Sequence, residues 1–168
     1  RGRLWIASGA LYVGIPCVAL IWLRGDGEAG RQTLIWLFAV VWAADSGAYA
    51  MGRLIGGPRL APAISPNKTW AGFIGGAACA GAAGTALAAL FGRTELVPLA
   101  LVGAAIGAVA EAGDLTESWI KRHFHVKDAS NIIPGHGGLM DRVDGLLAAA
   151  AVVALLGLIG KESVLTWF

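Results

Sequence analysis

The sequence predicts an all-α, polytopic membrane protein with about five transmembrane helices and two polar cytoplasmic loops that carry the chemistry. Three observations predict it. Of 168 residues, 57% are hydrophobic and only 14% are charged, against about 25% charged in a soluble domain. Mean hydropathy is +0.67. The apolar residues fall into runs near the roughly 20 residues that a helix needs to cross a bilayer. All 168 residues read as a single membrane-embedded domain. The net charge of +2 is too small to point to nucleic acid. Cys17 and Cys79 both lie inside apolar segments, which makes them small core or lipid-facing residues and not a disulfide or a metal pair.

The first span is Leu4 to Leu23, uncharged, with Trp5 and Trp22 near its ends as interface anchors. Pro16 kinks it without breaking it. A short loop from Arg24 to Arg31 follows, neutral overall. The second span runs from Thr33 to about Gly52 and contains Asp45. A carboxylate in a span costs roughly 2.5–3.5 kcal/mol on insertion scales, so it faces a protein interior. Asp45 either bonds a neighbouring helix or helps shape a site, and it shares a helix face with Tyr49. Arg53 to Thr69 is polar and Pro-rich and ends in SPNKT, which by itself reads as an ordinary turn.

Trp70 to Gly92 is the third span. Gly72, Gly76, Ala80 and Gly84 recur every four residues, a stripe that lets helix backbones approach closely in lipid. Such a stripe is compatible with a homodimer and does not require one. The fourth span is Leu96 to about Gly113, with Gly103, Gly107 and Glu111 on one stripe, so Glu111 points into the packed interface. If this helix continues past the membrane, Glu111, Asp114, Ser118 and Lys121 share one face. The plainer alternative is an amphipathic helix end with pairs such as Glu117 with Lys121. The fifth span is Gly145 to Gly160, and Asp141 and Asp144 stand just before it, where the helix dipole favours carboxylates even without a ligand.

Charge asymmetry orients the chain. Arg1, Arg3, Arg53, Arg59, Lys68, Lys121, Arg122, Lys127 and Arg142 fall on one side. Arg24, Arg31, Arg93 and Lys161 fall on the other and are balanced by acids. The Lys/Arg-rich side faces the cytoplasm, and both polar stretches are on it.

The chemistry gathers in Ser118 to Asp144, SWIKRHFHVKDASNIIPGHGGLMDRVD, which holds four basic residues, three aspartates and all three histidines. Carboxylates hold divalent cations, Lys and Arg take phosphate oxygens, and glycines admit backbone N–H groups to an anion. An ion-coupled transporter would use Asp45 and Glu111 but has no need of this segment.

The segment resembles the signature of the phosphatidate cytidylyltransferases, also called CDP-diglyceride synthetases. Ser118, Lys121, Arg122, Lys127, Asp128, Ser130, Ile133, Pro134, His136, Gly137, Gly138, Asp141, Arg142 and Asp144 stand at the family's spacing. SPNKT resembles the family's second patch through Ser65, Pro66, Lys68, Thr69 and Gly72, with Ala71 where many members carry Glu. The chain opens RGRLWIASG without Met, and the resemblance is to the C-terminal part of the family, whose members carry further spans before this point.

The resemblance implies a magnesium-dependent (or other divalent-cation-dependent) reaction in a bacterial inner or plasma membrane: CTP and phosphatidic acid give CDP-diacylglycerol and pyrophosphate. It implies Asp114, Asp141 and Asp144 as metal ligands, with Asp128 as a further candidate. Lys121, Arg122, Lys127, Arg142 and Lys68 would take phosphates. Ser65, Ser118, His136, Gly137 and Gly138 would contact substrate, with a turn-stabilising role for His136 the alternative. The HxH of His123 and His125 falls on positions the family leaves free. The lipid would enter sideways between spans. Another CTP-using enzyme of membrane lipids, such as a polyprenol kinase, is the alternative.

Overall fold

A computed structural model describes residues 2–130 and 138–167. Five helices, each long and apolar enough to cross a membrane, account for nearly all of it: α1 (Gly2–Arg24), α2 (Gly27–Leu54), α3 (Trp70–Leu90), α4 (Leu96–His123) and α5 (Met140–Gly160). Helices are the form an open chain must take in hydrocarbon, because each satisfies its own backbone groups. The five expected spans are all present. The ends differ: α2 and α4 each run to 28 residues, longer than their apolar runs.

The bundle is held by close backbone approach. On α3 the small-residue stripe Gly72, Gly76, Ala80 and Gly84 is buried as expected. A Cβ at Gly76 would stand 2.8 Å from the Ala44 carbonyl oxygen of α2 and 3.1 Å from Glu111 Oε1 of α4. At Gly103 of α4 a Cβ would stand 3.1 Å from the Ala80 carbonyl oxygen. In lipid, where burying apolar surface gains little, such dense packing is what associates helices. Larger side chains fill the remaining core: Trp36, Leu37 and Val40 of α2, Leu99 and Ile106 of α4, and Val153 of α5 are fully buried. The Trp36 indole N–H donates to the Gly84 carbonyl at 3.0 Å, so its one polar atom is satisfied. By contrast α1 buries only Pro16, Ala19 and Leu23, with Leu20 half-buried against the core, and most of its other large apolar side chains face outward.

The segment after α2 is more than a turn. Arg59–Ala61 (β1) and Ser65–Thr69 (β2) pair as a short antiparallel hairpin with an irregular register. Thr69 ends β2 and caps α3, its Oγ1 accepting from the Gly72 N–H at 3.1 Å. This hairpin was not predicted, because a Pro-rich stretch with three paired residues on one side carries no period-2 pattern.

The two ends of the bundle are distinct. The hairpin, the end of α4 and the start of α5 meet at one end, where Trp5 of α1 packs on His123, ring centroids 4.8 Å apart. At the other end Lys161 turns the chain out of α5 in the left-handed conformation. There a tail hydroxyl, Ser163, bonds the buried Thr33 of α2, beside a cavity of about 610 Å³ that Trp22, Asp26 and Lys161 help to line.

Candidate active site at the crossing of α4 and α5

Two glycines set the site. At Gly145 of α5 a Cβ would stand 3.0 Å from the Ala110 carbonyl oxygen, and at Gly113 of α4 one would stand 3.1 Å from the Asp144 carbonyl oxygen. The helices therefore cross nearly backbone to backbone at Gly113 and Gly145. The residues flanking that crossing are acidic. Asp114 and Glu117 of α4 and Asp144 of α5 each offer a carboxylate oxygen, all within 4.8 Å of one another.

Because α4 continues unbroken to His123, its polar face is carried past the crossing. Glu111, Asp114 and Lys121 of that face line a cavity of about 770 Å³. The α5 residues Asp141, Arg142 and Asp144 form its second wall. Asp45, Tyr49 and Arg53 of α2 and Arg59, Asn67 and Lys68 of the hairpin complete it. Asp45 thus opens onto the site, as its place near the end of its span suggested, and Arg53 donates to the Tyr49 hydroxyl one turn away.

Lys68 ties the hairpin to α4. Its Nζ lies 2.9 Å from Glu111 Oε2 and 2.8 Å from Asp114 Oδ2, and it donates to the Glu111 carbonyl oxygen at 3.2 Å. Burial alone would lower the Lys68 pKa, but the Asp114 and Glu111 carboxylates outweigh it and hold the ammonium above the ordinary lysine value. The residue that reads as a turn lysine is in fact the partner of a carboxylate only 3% exposed.

Lys121 holds the opposite side. Its Nζ lies 2.6 Å from Asp141 Oδ1 and 2.5 Å from Glu117 Oε2. The Lys121 ammonium is the positive partner of the buried Glu117 carboxylate. Asp141 is fully engaged elsewhere: Oδ2 accepts the Gly138 N–H at 2.7 Å and the Ala129 N–H at 3.0 Å. It ties the loop back to the start of α5. Asp144 Oδ1 accepts the N–H of its neighbour Gly145 at 2.8 Å.

Of the expected metal ligands, then, Asp114 and Asp144 come together, with Glu117 as the third carboxylate. Asp141 stands beside them on Lys121, and Asp128 is exposed beyond α4. Ser118 donates to Asp114 Oδ1 at 3.4 Å. Arg122 turns away from the cavity and bonds the carbonyl oxygens of Ile64 and Val126, each at 3.4 Å, bracing the hairpin. Lys127 is exposed and Ser65 half-buried, and neither lines the cavity. His136 and Gly137 lie outside the described residues, as do Ile133 and Pro134. His123 packs among Trp5, Trp119 and Phe124.

Sequence reasoning missed three contributors: Glu117, Arg53 and Arg59. Glu117 was legible only as a helical partner of Lys121. The two arginines were legible only as topology charges.

The donor set fits a divalent cation. Three carboxylates supply the hard oxygens that Mg²⁺ or Mn²⁺ prefers. Lys121 is shared between Glu117 and Asp141, and Lys68 between Glu111 and Asp114, so the cluster holds more carboxylates than paired ammoniums and leaves negative charge for a cation to offset. Five cations, Arg53, Arg59, Lys68, Lys121 and Arg142, stand around the same cavity, enough for a polyphosphate. The fold and this cavity together define an integral membrane protein with an acid cluster and a basic rim at one end of the bundle.

The chain belongs to the cytidylyltransferase family, whose profile it matches over residues 3–159. It is 49% identical over 161 residues to the phosphatidate cytidylyltransferase of Brucella suis biovar 1 (strain 1330), covering 96% of this chain and 60% of that protein. It is 45% identical over 133 residues to the enzyme of that name from Haemophilus influenzae, covering 74% of this chain and 45% of that protein. The corresponding Bacillus subtilis (strain 168) protein is 38% identical over 148 residues, covering 85% of this chain and 54% of that protein. The chain thus spans at most about 60% of the length of these curated relatives.

Proposed function

We propose that this chain carries the reaction centre of a phosphatidate cytidylyltransferase, which makes CDP-diacylglycerol and pyrophosphate from CTP and phosphatidic acid. The observation that carries the reading is the acid cluster of Asp114, Glu117 and Asp144 set inside a basic cavity at the end of a membrane bundle. A lipid phosphate oxygen attacks the α-phosphorus of CTP. That P–O bond forms as the bond from the α-phosphorus to the bridging oxygen of pyrophosphate breaks. The attacking phosphate is already largely ionised at neutral pH, so no general base is needed, and none is required of His136.

The physical difficulty is that both reactants are anions. A divalent cation held by Asp114, Glu117 and Asp144 would supply charge neutralisation and orient the triphosphate. Arg53, Arg59 and Arg142 line the cavity and would take phosphate oxygens. Lys121 sits between the cluster and Asp141, where it can take up the charge that grows on the departing pyrophosphate. Lys68 holds the hairpin against α4 and closes the cavity over the nucleotide. Asp141 holds the Ala129–Gly138 loop to the helix. The polar loops face the cytoplasm, where CTP is found, and the acyl chains stay in the bilayer.

The test is product formation by the intact protein in detergent with CTP, phosphatidic acid and Mg²⁺. CDP-diacylglycerol and pyrophosphate in equal amounts are expected, with Asp144→Asn and Asp114→Asn each reducing turnover by about 10³-fold or more, the scale of losing a key electrostatic group. Product from a different lipid phosphate and none from phosphatidic acid would assign another substrate. Full activity in Asp144→Asn would remove the cluster from the mechanism.

A further inference from the structure

One stripe of α2 runs from the outer surface of the bundle into the cavity. Trp42, Tyr49 and Arg53 recur at spacings of seven and four, which puts them on one helix face, and all three are exposed. Tyr49 and Arg53 line the 770 Å³ cavity, while Trp42 does not. Leu54 and Ile55, which follow, are exposed apolar side chains. Arg53 therefore stands at the edge where the cavity meets the apolar surface. Its guanidinium is held there. It lies over the Tyr49 ring, 5.4 Å from the centroid, within cation–π reach, and donates to the Tyr49 hydroxyl. The other cavity arginines are placed differently. Arg59 belongs to the hairpin, where it donates to the Asn67 carbonyl oxygen at 3.3 Å, and Arg142 belongs to the first turn of α5.

Depth fits a lipid. Arg53 stands about 16 Å along α2 from Trp42, close to half of the roughly 30 Å hydrocarbon core. A phospholipid whose acyl chain lies along this stripe has its phosphate at Arg53. The neighbouring Gly52 keeps that point near the acid cluster: a Cβ there would stand 3.2 Å from Thr69 Oγ1, and Lys68, beside Thr69, reaches Asp114 at 2.8 Å. We propose that Arg53 takes the phosphomonoester of the lipid substrate and that Tyr49 is its positioning residue, holding the guanidinium on the lipid side of the cavity. The proposal deepens the reading of the chain as a phosphatidate cytidylyltransferase and rests on it for the identity of the lipid. A terminal phosphate is shared by phosphatidic acid and CTP, so the test separates the two.

The experiment is binding of phosphatidic acid with a fluorescent acyl chain to the intact protein in mixed micelles without nucleotide, alongside KM for phosphatidic acid and for CTP in turnover. Wild type binds the labelled lipid, and Arg53→Ala weakens binding by at least about tenfold, the scale of a hydrogen bond to a charged group. Tyr49→Phe, which keeps the ring and removes one oxygen, weakens it about fivefold. It raises the phosphatidic acid KM by the same factor and leaves the CTP KM where it is. In an Arg53→Ala background Tyr49→Phe has no further effect. Wild-type lipid affinity in Tyr49→Phe, or an equal loss with and without Arg53→Ala, overturns the positioning role. A raised CTP KM with lipid binding unchanged puts Arg53 on the nucleotide and overturns the lipid assignment. Normal lipid binding in Arg53→Ala, or no lipid binding by wild type, removes the subsite even where the protein makes CDP-diacylglycerol. If wild type and the variants bind the lipid as expected but wild type makes no product, the reaction proposed above fails while the phosphate subsite stands.

Discussion

Replacing Lys68 with methionine keeps the length of the side chain and removes its charge. In the folded protein that charge faces Glu111, whose side chain is 4% exposed, and Asp114, whose side chain is 39% exposed. The two contacts differ in value. The Asp114 pair is solvent-screened and contributes under about 1 kcal/mol. The Glu111 pair is buried, and removing one partner from such a pair costs about 3–5 kcal/mol because the other charge is left uncompensated. The Lys68 side chain is itself 19% exposed, which places the expected loss at the lower end, about 3 kcal/mol. Equilibrium unfolding in mixed micelles measures it. The double variant Lys68→Met with Glu111→Gln should recover most of the loss, since the orphaned charge is then gone, leaving a coupling of about 2 kcal/mol. Strictly additive losses would refute the reasoning and reduce the pair to a bystander. The pH dependence is fixed by the raised pKa: the pair's contribution is full below 10.5, the ordinary lysine value. It fades only as pH rises through the higher folded value, so the cost of Lys68→Met is the same at about pH 7 and pH 9.

Three further outcomes are expected. Asp141→Asn weakens the acceptor of the Ala129 and Gly138 N–H groups and the partner of Lys121. It should speed hydrogen exchange at those two amides by about tenfold while leaving Mn²⁺ bound; unchanged exchange would show that the loop is held by other contacts. Gly145→Leu should cost about 1–3 kcal/mol by overpacking and also abolish Mn²⁺ binding, because it separates Asp144 from Asp114. Gly81→Leu, which meets the Ala100 carbonyl oxygen on a different helix pair, should cost as much stability without touching binding. A cysteine at Ala63, exposed at the hairpin tip, should be labelled only from the cytoplasmic face and one at Glu95 only from the opposite face, with the reverse pattern overturning the orientation.

Much of this architecture was legible because lipid makes the rules simple. Apolar run lengths located all five helices, and spacings of four exposed the glycine stripes and the face shared by Glu111, Asp114 and Lys121. What was not legible was depth across helices. Asp141 and Asp144 are three residues apart and nearly share a helix face, yet only Asp144 is level with Asp114. That level is set by where Gly113 meets Gly145, a contact between segments far apart in sequence. Glu117 was hidden for a related reason. Its pair with Lys121 is real, but whether such a pair is solvated or buried depends on the helix packed beside it. The hairpin was hidden because its paired residues are too few to show alternation.

The length of α4 has a consequence of its own. Its 28 residues make a rod of about 42 Å at 1.5 Å per residue, longer than the roughly 30 Å of hydrocarbon. Asp114 sits about 27 Å along it, close to one hydrocarbon thickness from Leu96. On the proposed reading, the helix would work as a depth gauge, holding the acid cluster near the level of a lipid phosphate, so that such a substrate need not be lifted out of its leaflet to react. In a thicker bilayer the same gauge would draw the cluster below the phosphate plane. Bilayer thickness would thereby become a setting on the proposed reaction, written into the chain as the number of residues between Leu96 and Asp114.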